Sequence, residues 1–192
     1  MKKLNKVKST AISILRDNID TDIIIPKNFL KTTKRTGFED VAFYPWRYDD
    51  SGKAIEEFPL NKHRDKKAQI LIAGDNFGCG SSREHAAWAL QDYGFRVVIA
   101  GGYSPIFYMN WINNLNLPVI LDERSRGELA NLGVDEEITV DLENSTVEAG
   151  GKTYKFEMER AFREKLLKGQ DSIDEILEYE DEIENYEREH SL

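Results

Sequence analysis

Cysteine is almost absent: the 192 residues hold one, Cys79. A lone thiol cannot close an internal disulfide, which fits a reducing, cytoplasmic setting. Long apolar runs are missing too, and nothing approaches the roughly 20 residues needed to span a bilayer. The basic start MKKLNKVKST is followed by no apolar core of the kind a secretory leader carries. Positive charge is in short supply, with 26 Lys and Arg against 35 Asp and Glu and a net charge of −9. Ten acidic residues and one arginine fall within 171–192, so this tail carries the whole excess and the body is close to neutral. A chain without a basic face does not suit nucleic-acid phosphates. Nor does it carry a polybasic stretch for an anionic membrane. A small molecule or another protein is the expected partner.

What is present is ordinary globular material: 40% hydrophobic residues and 13 glycines, enough for a core without disulfide or metal staples. Alternation over 10–15 (TAISIL) reads as a strand, and the turn-prone DNIDTD follows. The short apolar runs 68–73 (AQILIA), 97–100 (VVIA) and 118–121 (PVIL) read as buried strands. Between them lie two helical stretches, 82–93 and 104–115. The first has Ala86, Ala89, Leu90 and Tyr93 on one face and Gly94 at its end; the second opens on Ser104-Pro105. The result is a parallel β-α-β-α-β unit in an α/β fold.

In the last third, a short helix at 126–131 precedes two alternating runs, 138–142 and 152–156. They are separated by ENSTVEAGG and read as antiparallel strands. Helices are expected at 160–167 and in the acidic tail. Residues 31–67 form a long polar excursion with an aromatic knot, Phe43, Tyr44, Trp46 and Tyr48, and excursions of that length are usually functional or disordered. No repeat or linker divides the chain, so 1–192 is expected to be one domain, with the excursion at 31–67 and a helical acidic C-terminus at 171–192.

The stretch GDNFGCGSSREHAAWALQDYG at 74–94 admits two readings. Ser81-Ser82-Arg83-Glu84 satisfies the S-x-x-E capping box, with glycines allowing a tight turn. Equally, a glycine-rich loop entering a helix aims free N–H groups at one spot where negative charge is favoured. Arg83 there could grip a carboxylate, with Ser81 and Ser82 beside the bound anion. Walker A, the esterase G-x-S-x-G elbow and the dinucleotide fingerprint all fail to match.

The segment NFGCGSSREHAAWAL resembles the signature of the 3-isopropylmalate dehydratase small-subunit family, within the aconitase superfamily. DNIDTDIIIPKNFL at 17–30 and GFRVVIAGGYSPIFYMNWINNLNLPVIL at 94–121 match as well, and a weaker likeness runs through KTYKF to 173. The resemblance implies a swivelling β/β/α domain. It implies an active site completed by a large subunit, whose [4Fe–4S] cluster acts on the hydroxyl and a carboxylate of a 2-hydroxy acid. It implies Ser81 as the base that takes the proton from carbon, and Ser82 and Arg83 as carboxylate ligands. Asp22 would orient charge at the site, and Phe29 and Leu30 would contact the alkyl group, with Lys31 or Arg35 facing charge. The implied reaction isomerises 2-isopropylmalate to 3-isopropylmalate by dehydration and rehydration in leucine biosynthesis.

A single cysteine does not house an iron–sulfur cluster, so the cofactor is expected on the large subunit and none on this chain. A related small subunit for homoaconitate or citramalate stands as an alternative, as does a non-catalytic carboxylate-binding module. Cys79 is expected to be a spacer and His85 a stabiliser of the loop. His63 is expected to be solvated, and Trp88 and Trp111 to be packing residues.

Overall fold

The computed structural model describes residues 3–30, 36–169, 185, 186, 188 and 190. Two four-stranded sheets lie at its centre. The parallel sheet runs in the order β2 (Ala11–Ile14), β3 (Ile70–Ala73), β4 (Val97–Ala100), β5 (Leu117–Ile120). The antiparallel sheet runs β1 (Lys6–Ser9), β6 (Ile138–Asp141), β7 (Thr146–Ala149), β8 (Lys152–Lys155).

Every residue of β3 and β4 is buried, and alternate side chains point to opposite faces of the sheet. Leu71, Ala73, Val98 and Ala100 join one core with α4 (Glu84–Tyr93) and α5 (Pro105–Asn113). Ile70, Ile72, Val97 and Ile99 join a second core with Val140 and Val147 of the antiparallel sheet, Leu129 of α6 (Glu123–Ala130) and Leu166 of α7 (Arg160–Lys168). The layers are thus antiparallel sheet, parallel sheet, helices. Continuous apolar runs follow from cover on both faces.

The expected parallel unit is present, with one change of size: β2 adds a fourth parallel strand beside β3. The antiparallel part differs more. The two expected runs do not pair with each other, because β7 forms inside the supposed separator and pairs with both. Gly150 and Gly151, both at positive φ, make the two-residue turn from β7 to β8. β1 is masked in the sequence by its lysines, which alternate outward while Val7 and Ser9 face inward.

The polar excursion is built rather than loose over its described part. It contains α2 (Tyr44–Arg47) and α3 (Pro59–Lys62), and buries Phe38, Phe43 and Leu60. Arg47 is fully buried and donates from Nε to Asn61 Oδ1 (2.9 Å) and from Nη1 to the carbonyls of Glu39 (2.9 Å) and Ala42 (3.2 Å). These bonds offset the burial of the guanidinium, whose Nη2 is buried with no hydrogen-bond partner among the described residues. The acidic tail expected to be helical lies almost wholly outside the described residues, as do Lys31 and Arg35. Among the described residues no helix is long and apolar enough to cross a membrane.

Candidate functional site

The carboxyl ends of β2 and β3 feed two loops that run side by side. Asn18 N–H donates to the Asp75 carbonyl (2.8 Å), and Asp75 N–H donates to Asp17 Oδ1 (2.7 Å). Further along, Gly78 N–H donates to the Ile19 carbonyl (2.7 Å) and Thr21 N–H to the Cys79 carbonyl (2.8 Å). These bonds form a short parallel bridge centred on Asp20 and Cys79. Gly78 has φ +72°, and a Cβ there would fall 2.2 Å from Cγ of Phe107. Only glycine lets α5 pack this closely on the loop.

The DNIDTD turn then becomes a one-turn helix, α1 (Thr21–Ile24), capped by Asp20, whose Oδ1 accepts from Ile23 N–H at 2.8 Å. This cap places Asp22 in the first turn, where its Oδ1 accepts from Arg83 Nη1 at 2.5 Å. Arg83 in turn donates from Nη2 to Ser81 Oγ at 3.3 Å. The Arg83 side chain is 11% exposed and that of Asp22 44%, so the guanidinium is held from beneath while the carboxylate keeps contact with solvent. The hydrogen bond from Arg83 is the main cause that holds the Asp22 carboxyl below the usual carboxylate range. The charges of Arg83 and Lys27 add to it, while burial opposes it.

The capping box does not form. α4 begins at Glu84 instead of Ser82, its N-cap is Arg83, and no side chain caps it. Glu84 Oε1 accepts from Asn114 Nδ2 (3.2 Å) instead of reaching back. The Ser81 hydroxyl is therefore turned to Arg83, and both Ser81 and Ser82 are exposed. Arg83, with extended backbone (φ −116°, ψ 110°), is the N-cap, so α4 starts after both serines.

Thr21 had no part in the sequence reading of the site. It is 1% exposed, and its hydroxyl donates to the Ser81 carbonyl at 2.9 Å. The available signal was Asp20 as an N-cap before an apolar run, which would have put Thr21 at the first helical position. Phe29 and Leu30 follow α1 through a 3-10 turn, half-buried against the larger core, and the Phe29 ring sits 4.9 Å from that of Tyr44. His85 lies between Trp88 (4.6 Å) and Phe38 (5.8 Å), a packing role beneath the loop. Trp111 is buried in the core. His63 is half-buried at the lip of a cleft near Pro59 and Leu132, not simply solvated.

The donor set does not fit an iron–sulfur cluster. Cys79 is a half-buried free thiol whose pKa is pushed up by burial, the reverse of what a thiolate ligand needs. Among the described residues no three His, Cys, Asp or Glu side chains gather as a metal site.

Residues 1–124 match the family model of the aconitase C-terminal domain. The chain is 52% identical over 185 residues to the 3-isopropylmalate dehydratase small subunit of Bacillus cereus strain B4264, covering 96% of each. It is 51% identical over 181 residues to that of Bacillus thuringiensis subsp. konkukian, covering 94% of each. A crystal structure of 3-isopropylmalate dehydratase from Methanocaldococcus jannaschii superposes with a TM-score of 0.68 at 27% identity, covering 95% of this chain and 99% of that one. A mixed fold of parallel and antiparallel sheets, a serine–arginine loop between strand and helix, and likeness along nearly the full length agree: the chain belongs to the 3-isopropylmalate dehydratase small-subunit family of the aconitase superfamily.

Proposed function

We infer that this chain supplies the proton-transfer and carboxylate-binding half of a heteromeric hydro-lyase that converts 2-isopropylmalate to 3-isopropylmalate. The observation that carries this reading is the Asp22–Arg83–Ser81 array at the head of α4. The Ser81 alkoxide takes the proton from the carbon adjacent to the one that bears the hydroxyl and becomes a hydroxyl, the C–H electrons form the double bond, and hydroxide leaves. Rehydration reverses these events with the hydroxyl on the neighbouring carbon.

A serine hydroxyl is a weak base, so its alkoxide needs stabilisation. The Arg83 Nη2 N–H aimed at Oγ and the amino end of the ten-residue α4 both favour negative charge there. Asp22 pins the guanidinium at Nη1. Of the five N–H donors of an arginine, one on Nη1 and one on Nη2 are engaged among the described residues, and the others are assigned to a substrate carboxylate. Ser82, exposed beside it, completes the carboxylate site. Phe29 and Leu30, at the far end of the segment that carries Asp22, are assigned to the isopropyl group.

Departure of hydroxide calls for a Lewis acid, and among the described residues no three His, Cys, Asp or Glu side chains gather to hold a metal ion. That task is assigned to the large subunit and to the [4Fe–4S] cluster which the aconitase relationship implies, carried by that partner. The enzyme acts in the cytoplasm, and the partner closes over the exposed serines.

The test is turnover of 2-isopropylmalate, followed by ultraviolet absorbance of the unsaturated intermediate under anaerobic conditions. The chain is assayed alone and with a cluster-loaded large subunit. Activity in the mixture only, lost on Ser81→Ala while the complex still forms, supports the reading. Turnover that survives Ser81→Ala removes the serine from its role.

A further inference from the structure

We infer that Thr21 is a positioning residue of this site, acting through the Ser81–Ser82 peptide. The inference rests on the half-site reading above. Three bonds tie the 19–21 segment to the serine loop, and two of them, Gly78 N–H to Ile19 and Thr21 N–H to Cys79, are backbone bonds that most residues can make. The third requires a hydroxyl: Thr21 Oγ1 donates to the Ser81 carbonyl at 2.9 Å from a position 1% exposed.

That bond fixes more than one oxygen. Among the described residues every peptide is trans, and in a trans peptide the C=O of one residue and the N–H of the next point in opposite directions. With the Ser81 carbonyl drawn inward to a buried threonine, the Ser82 N–H is turned outward, toward the face where Ser81 and Ser82 are exposed. There it is a preset donor to a substrate carboxylate oxygen, whose charge grows as the neighbouring carbon loses its proton. The same bond limits rotation of the Ser81 backbone, and so the reach of Oγ. Asp22, the next residue, holds Arg83, so one turn of α1 orients both the guanidinium and the serine peptide.

The experiment compares Thr21→Val, which keeps shape and loses the donor, with Thr21→Ser, which keeps the donor. Both are assayed in the assembled, cluster-loaded enzyme, with kcat expressed per titrated complex. Misdirected donors act on the charged transition state, so Thr21→Val is expected to lower kcat about tenfold or more while KM changes less than about threefold. Thr21→Ser is expected to stay within about twofold of the parent in kcat. Unchanged kcat in Thr21→Val overturns the proposal, as does a Thr21→Ser enzyme no faster than Thr21→Val. If Thr21→Val does not assemble, Thr21→Cys, a weaker donor of similar size, takes its place against Thr21→Ser under the same criteria. A parallel Ser81→Ala enzyme separates the two ideas, since normal turnover there sinks the serine reading itself.

Discussion

Two helices start just beyond parallel strands, and they start differently. α6, after β5, begins with an ordinary cap: Asp122 Oδ1 accepts from Ser125 N–H at 2.8 Å, and Oδ2 accepts from Ser125 Oγ at 2.9 Å. These bonds hold the Asp122 carboxyl below its usual range, the backbone bond most of all. α4, after β3, has a better capping sequence and does not use it. Its serines stay at the surface, its arginine is tied to a carboxylate from another loop, and its first N–H groups receive no side-chain cap. The contrast is between a helix start closed by its own side chains and one whose serines stay exposed. On the function proposed above, the unused capping sequence of α4 is where a local rule gives way to the site.

Substitutions at the two helix starts should therefore have opposite signatures. The largest effect is expected from Ser81→Ala, which should lower kcat about a thousandfold, in the range of a lost general base, with the thermal midpoint of the isolated chain unchanged. Steady-state kinetics of the reconstituted enzyme and a thermal scan check it together. Next is Arg83→Lys, which keeps the charge but loses the planar fork. It should reduce kcat/KM about a hundredfold, read from the same assay across substrate concentrations.

At α6 the pattern should reverse. Asp122→Ala should cost about 1 kcal/mol of stability by denaturant titration while leaving kcat and KM of the assembled enzyme at parent values. A large kinetic loss there would end the comparison.

The smallest effect is expected from acid. The folded pKa of Asp22 lies below its ordinary value. Its contribution is therefore present above the unfolded pKa of about 3.9 and is lost as pH falls through the lower, folded value. Asp22→Asn should flatten the acid limb of an unfolding-versus-pH curve only below about pH 4. Loss of stability between pH 5 and 8 in the parent must then come from other groups. An Asn variant with an unchanged acid limb would show that the Asp22–Arg83 pair contributes nothing measurable.

Much of the architecture could be read along the chain because its signals are local. Residues 70–73, 97–100 and 117–119 are apolar throughout because both faces are covered there, and that cover leaves a trace in composition. β1 and β7 escaped notice because a sheet with one solvated face is free to place Lys and Glu along its strands. The site was half legible. Gly-Cys-Gly-Ser-Ser-Arg carried the signal for the anion chemistry proposed here, yet the pairing of Asp22 with Arg83 joins residues 61 positions apart, and no spacing rule reaches that far. Phe29 and Leu30 were placed on the same segment, and their contact with an alkyl group remains part of the proposal.

Composition and short-range pattern were enough to point to an α/β chain with a lone thiol, a neutral body and a glycine-rich helix start suited to an anion, because each depends on residues close in sequence. Folding settled which helix starts are capped, which carbonyl meets the hidden hydroxyl of Thr21, and which carboxylate steadies Arg83. Those outcomes depend on two loops emerging side by side from neighbouring strands, and that neighbourhood exists only once the parallel sheet has formed.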